Sequence, residues 1–222
     1  MKKLAPLLLL LVLTLTGCQS ISFTLAYLFI GPDVKPKHEI LLTGDKRVAV
    51  VPRSVYFNSF EVQNAPQEIA RQVNALLDDN VKNKKLRVVD QSKVEAWLDN
   101  CNNDFDTFAE VGRDKSINAD IVIGFDIISF QIRDPQNPYL VQGKCQVEVK
   151  AVDCATGKVV VSETLSIVDP PSTPISGGPH VEAQFRPQFI HVIAQQIAAL
   201  FHHHNQHKIR RIDADNLEMH RL

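Results

Sequence analysis

VQGKCQVEVKAVDCATGKVVVSETLSIV, residues 141–168, decides the fold. In its first half Val141, Gly143, Cys145, Val147, Val149 and Ala151 alternate with Gln142, Lys144, Gln146, Glu148 and Lys150. A period of two is the spacing of a strand whose side chains leave on alternate faces, so this strand has one dry face and one wet face. DCATGK (153–158) supplies turn residues, and KVVVSETLSIV (158–168) returns as an antiparallel partner. The dry face of such a hairpin has to be covered by apolar residues from elsewhere in the chain.

The flanking sequence provides them. ADIVIGFDIISF (119–130) is a long apolar run suited to the centre of a sheet, and KRVAVVP (46–52) and LRVVD (86–90) read as shorter strands. Between these last two, Pro66 follows the possible cap Asn64, and Ile69, Val73, Leu76, Leu77 and Val81 recur at helical spacing. Ser92-Lys93-Val94-Glu95 has the form of a capping box opening a helix with Val94, Trp97 and Leu98. Asp104 is placed to cap a further helix bearing Phe105, Phe108 and Val111. After the loop DPPSTPISGGP (169–179), Phe185, Phe189, Ile193, Ile197 and Leu200 form the stripe of a closing amphipathic helix. The expected fold is a single α+β domain, with a mixed sheet of about five strands, helices packed over it and a C-terminal amphipathic helix. Its expected span is 46–204, with 205–222 a charged, disordered tail.

The N-terminus carries a different signal. Lys2 and Lys3, the apolar run Leu4 to Leu15, and the small residues before Cys18 are the layout of a secretory leader, residues 1–17. Leu15-Thr16-Gly17-Cys18 resembles the lipobox of bacterial lipoproteins, a resemblance that implies acylation of Cys18 and cleavage before it. Competing readings are a secreted chain with a stray cysteine and a signal anchor running on through Ile21 to Ile30. One acyl chain binds a membrane marginally and two or more bind it firmly. Gln19 in place of an aspartate favours, by the lipoprotein sorting pattern, the outer membrane and its periplasmic side. Residues 18–45 then read as lipid anchor, apolar segment and tether. Removal of the leader's two lysines leaves 22 basic residues of the original 24 against 25 acidic ones, and no basic stripe appears, so nucleic acid is not an expected partner.

The VAVVP strand, the VVDQSKVEAWL segment, INADIVIGFDIISF and VEVKAVDCATGKVVVSETL together resemble a group of envelope lipoproteins. The group takes in the curli secretion lipoproteins, the penicillin-binding-protein activator lipoproteins and the N-terminal domain of the Tol-system translocation protein. The matched positions are Val48 to Val51, Val88-Val89-Asp90, Ala119-Asp120 and Asp153 to Gly157, within residues 46 to 168. The closing IAQQIAALFHHH is similar to that of uncharacterised planctomycete lipoproteins. The resemblance implies a membrane-tethered periplasmic domain that binds an envelope protein without catalysis. A self-assembling ring component without a pore is the structural alternative. Membrane strands need about 9–11 alternating residues each. The loops RDPQNP (133–138) and DPPSTPISGGP are too short to supply them.

Chemistry-bearing patterns are sparse. His203 and His207, four residues apart in HHHNQH (202–207), would put two imidazoles on one helical turn, with His202 or His204 as a third metal ligand. The rival reading is a solvated, histidine-capped helix end. Asn102, Asp104 and Asp106 lack the glycine and glutamate of a calcium loop. SGGPH (176–180) lacks the lysine of a phosphate loop, and the common hydrolase, zincin and dinucleotide motifs do not occur. Cys145 reads as a core residue, and a Cys145–Cys154 disulfide is disfavoured. Asp126 is polar within an apolar strand, and a backbone hydrogen bond is its expected partner. No cofactor and no catalytic residue is expected.

Overall fold

The computed structural model describes residues 33–53, 64–134, 137–171, 173–177 and 179–205. Its elements run β1 (Asp33–Val34), β2 (Lys46–Arg53), α1 (Ala65–Asn80), β3 (Leu86–Val88), α2 (Gln91–Asn100), α3 (Phe108–Arg113), β4 (Ile121–Asp134), β5 (Asn137–Asp153), β6 (Val159–Asp169), β7 (Ile175–Ser176), α4 (Pro179–Ala199) and β8 (His204–Asn205). The main sheet has the order β3-β2-β4-β5-β6, and β7 pairs with β5 beside the end of β6. β2 is parallel to both β3 and β4, whereas β4, β5 and β6 form an antiparallel meander. The domain is therefore α+β with an open mixed sheet, as the periodicities indicate.

The two crossovers explain where the helices lie. The chain moves from β2 outward to β3 through α1, then back across β2 to β4 through α2 and α3. Crossovers of one hand travelling in opposite directions place their helices on opposite faces. One face accordingly packs Val48, Val50, Ile123, Phe125, Val147 and Val149 against α1 and α4. The other packs Ala49, Val51 and Val122 against Val94 and Leu98 of α2 and Phe108 and Val111 of α3. Strands covered on both faces read as continuous apolar runs, which is why VAVV and IVIGF do not alternate. β5 lacks a helix on its second face over most of its length, and there the alternation survives.

α4 is buried more widely than a single stripe. Ile190, Val192, Ala194 and Ala198 join Phe185, Phe189, Ile193 and Ile197 in the core. The helix rests on the sheet and on α1 at once; Arg186 donates to both Glu68 carboxylate oxygens, at 3.1 and 2.9 Å. Phe189 lies over Gly143, where a Cβ would sit 2.5 Å from its ring. That close approach accounts for a glycine within the alternating strand.

Several expectations need correcting. Residues ahead of Lys46 are already part of the packed fold, from the first described residue, Asp33. β1 pairs with β8, the His38 amide donates to the Leu200 carbonyl at 2.9 Å, and Leu41 is fully buried. RDPQNP is not a free loop, since β4 runs to Asp134 and β5 starts at Asn137. The cap of α2 is Asp90, whose carboxylate accepts from the Ser92 amide, and Glu95 of the supposed box is bound instead to Arg71. Thr107 rather than Asp104 caps α3, so Phe105 precedes that helix. Asn64 occupies the cap position of α1 without a side-chain cap bond. The DCATGK turn forms as read: Asp153 accepts from the amide and hydroxyl of Thr156, and Gly157 takes a positive φ of 71°. The leader, Cys18 and the tail after Asn205 lie outside the described residues. Among the described residues no helix is long and apolar enough to cross a membrane.

Candidate binding face

α2 and α3 cover only the β3-β2-β4 side of their face of the sheet. The remainder, over β4, β5 and β6, is an open ladder. Its rows are Gly124–Lys150–Ser162, Asp126–Glu148–Thr164, Ser129–Gln146–Ser166 and Gln131–Lys144–Val168. Ile128, beside the irregularity in β4, projects at 51% exposure, and Val160 and Val168 of β6 at 49% and 44%. Polar side chains with isolated apolar ones are the composition of a surface that can exchange water for a partner.

The border of this face carries its densest electrostatics. Parallel pairing sets Arg53, the last residue of β2, beside Asp126. The guanidinium binds both carboxylate oxygens, Nε to Oδ1 at 2.6 Å and Nη2 to Oδ2 at 2.9 Å. It also lies over two rings of the α3 region, 4.9 Å from the centroid of Phe108 and 5.9 Å from that of Phe105. Phe108 reaches this position because Gly124 has no side chain; a Cβ there would meet the ring at 2.5 Å. On the other side Asp126 stands directly opposite Glu148, a like-charge pairing that is unfavourable in a sheet. Each carboxylate has its own cation, since Lys150 binds Glu148 at 2.8 Å. The charges thus alternate as Arg53, Asp126 and Glu148 together, and Lys150. The hydrogen bond that Arg53 donates to Asp126 holds the guanidinium above its ordinary pKa against the opposing effect of burial, and the charges of Asp126 and Glu148 add to it. The expected backbone partner of Asp126 is therefore replaced by a side chain. The signal was present in the sequence: a charge within IVIGFD requires a countercharge, and VAVVPR ends in one.

A second feature lies on the opposite side of β6. Leu165, Ile167, Asp169 and Pro171 face Val192 and Gln196 of α4 across a groove of about 460 Å³. Asp169 is buried, and among the described residues its Oδ2 has no hydrogen-bond partner. Burial pushes its carboxyl up to about 6. The folded state therefore holds this proton more tightly than the unfolded chain, whose value is about 3.9. Stability should fall as pH rises from about 4 to about 6 and stay lowered above that window. Asp169→Asn is expected to raise stability by about 1–2 kcal/mol at pH 7.5 and to change it little at pH 4, as measured by urea denaturation at both values.

The other sequence candidates are dispersed. α4 ends at Ala199 and residues 202–205 are not helical, and His207 lies outside the described residues. His202 is buried, and its Nδ1 donates to the His203 carbonyl at 2.7 Å; burial lowers its pKa. His204 donates from Nδ1 to the His202 carbonyl at 3.2 Å, and His203 Nδ1 stands 4.0 Å from Asp33. Among the described residues no group of three or more His, Cys, Asp or Glu is arranged to hold a metal ion. Asn102, with Asn103, takes a left-handed turn that ends α2. Cys145 and Cys154 are about nine strand residues apart, or roughly 30 Å at strand rise, well beyond disulfide reach. Burial pushes the Cys145 thiol up to about 12 and, as the main cause, that of Cys154 up to about 11. Both remain protonated and are poor nucleophiles. Trp97 packs on the second core, edge-on to Phe105 at 6.0 Å.

No family model matches the chain, and no curated protein matches it. Solved structures of similar shape include a PelC dodecamer from Paraburkholderia phytofirmans, 14% identical, covering 76% of this chain and 95% of that one at a TM-score of 0.42. Lipoprotein GNA1162 from Neisseria meningitidis is 13% identical over 67% of this chain and 98% of its own, with a TM-score of 0.43. The LpoB C-terminal domain from Salmonella enterica is 12% identical over 58% and 87%, with a TM-score of 0.30. At identities this low and TM-scores below one half, these likenesses carry no functional conclusion.

Proposed function

We propose that the chain is an outer-membrane lipoprotein, anchored through acylated Cys18 and facing the periplasm, whose folded module binds other envelope proteins and performs no catalysis. The observation that carries the binding reading is the open face itself: a polar ladder across three strands, bordered by the Arg53–Asp126 and Glu148–Lys150 pairs. Its ionic groups are already matched to one another, which suits recognition of an extended charged surface better than proton transfer. The anchor reading rests on Leu15-Thr16-Gly17-Cys18.

The test is site-specific photo-crosslinking in intact cells, with the crosslinking residue at Gln146 on the open face or at Asp78 on the exposed side of α1. The expected result is a discrete heavier band from position 146 that position 78 does not give. The same bands from both positions, or none from either, would remove the open face as the binding surface.

A further inference from the structure

β6 is the edge of the main sheet, 11 residues long, and among the described residues its backbone pairs only with β5. Natural edge strands are blunted by charges, prolines, bulges, inward-pointing charges or a covering segment. β6 has a bulge at Val160 and charges on its α4 side, but no charge or proline on its open face. Its two acidic residues point the other way: Glu163 is bound by Lys37 at 2.7 Å and His38 at 2.9 Å, and Asp169 is buried. The open-face series is Val160, Ser162, Thr164, Ser166, Val168. That series reads nearly the same in both directions about Thr164.

A two-fold interface must be self-complementary, because every residue i that meets j also has j meeting i. We infer that β6 pairs antiparallel with β6 of a second copy, with Thr164 on the two-fold axis. In this register Thr164 faces its own copy and Ser162 faces Ser166 of the partner subunit. The exposed Val160 and Val168 meet at each end and cover one another. On the α4 side Val161 faces Ile167 of the partner subunit, Glu163 with its Lys37 and His38 partners faces Leu165 of the partner subunit, and the two copies of Leu165 are diagonal neighbours, within reach of each other across the axis. The irregularity in pairing to β5 falls at Val160, outside the central 161–167 stretch. The axis is perpendicular to the sheet, so both α4 faces lie on the same side. Residues 33–38 pack on that face, through Glu163 of β6 and Leu200 after α4. Residues 33–38 of both copies therefore lie on one side of the dimer, as two anchors in one bilayer require.

The inference is independent of the partner assigned to the open face. The test is sedimentation equilibrium of the full mature chain in density-matched detergent, with far-ultraviolet circular dichroism and melting to confirm that each variant folds. Wild type is expected at twice the monomer mass. Thr164→Lys, which sets two like charges across the axis, is expected at the monomer mass. Ser162→Lys with Ser166→Glu is expected to remain a dimer, because the register pairs each lysine with a glutamate of the other copy. Ser162→Lys with Ser166→Lys is expected to be monomeric. Thr164→Cys in membranes should give a self-crosslinked dimer on mild oxidation, whereas Ser166→Cys alone should not. A monomeric wild type at high concentration would overturn the inference, and so would a dimer that survives Thr164→Lys. Equal behaviour of the two double variants would overturn the register.

Discussion

Phe189→Ala is expected to destabilise the fold by about 3–5 kcal/mol, the usual cost of emptying a buried aromatic site. In a domain of this size the melting temperature should drop by something on the order of 10 °C. The ring is fully buried, 5.6 Å from Phe130 and 5.8 Å from Phe185, and it seats α4 on the β4–β5 hairpin. Gly143→Ala should destabilise as well, since its Cβ would enter the Phe189 ring. The two changes are not expected to add. In the double variant the new methyl group occupies part of the space left by the phenyl ring, so the combined cost should fall below the sum by about 1 kcal/mol or more. Strict additivity in urea unfolding would mean that Phe189 does not lie over Gly143 in solution.

The second large effect belongs to Arg53 and Asp126. Removing one member of a buried pair costs about 3–5 kcal/mol. Here the Arg53 side chain is 28% exposed and that of Asp126 10%, so a cost of about 2–3 kcal/mol is expected. The order of the two single changes should be informative. Arg53→Ala leaves a buried carboxylate facing Glu148, whereas Asp126→Ala leaves a partly exposed guanidinium on Phe108, with Glu148 still nearby to attract it. Arg53→Ala should therefore be the worse of the two. Arg53→Met with Asp126→Leu should recover most of the lost stability, as replacement of a buried pair by apolar residues usually does. Equal defects in the two single variants would contradict the geometry described for this row.

How much of this was legible in the sequence depended on whether the deciding interaction was local. The alternation at 141–151 and the Asp153–Gly157 turn were read correctly because strand period and turn chemistry are carried by adjacent residues. The apolar runs at 46–52 and 119–130 also announced central strands. The caps were misread, because Ser92 and Asp90 are both good cap residues and the choice depended on Arg71, twenty-four residues from Glu95, taking that glutamate away. Within the segment 18–45, residues 31–39 (GPDVKPKHE) looked like a tether since their composition is polar and proline-containing. Its attachment depends on Glu163 and Leu200, more than a hundred residues distant. The HHHNQH stretch gave a metal spacing only on the assumption that the helix continued, and the chain leaves α4 at Ala199 to pair with β1. Asp126 was noticed as anomalous, but its partner became visible only once β2 and β4 were aligned side by side. The open face shows no chemical motif at all, because ladder rows are assembled from three strands and none of them is contiguous in the chain.

Every functional statement above depends on the module being held at a bilayer by lipid on residue 18. Intact mass spectrometry of the protein purified from its own bacterial membranes measures this directly. The predicted result is a single species that begins at Cys18, carries the added mass of a diacylglyceryl group and an amide-linked fatty acid, and disappears from the membrane fraction in Cys18→Ser. A chain that retains residues 1–17, or one cleaved at another position with an unmodified Cys18, would contradict the account.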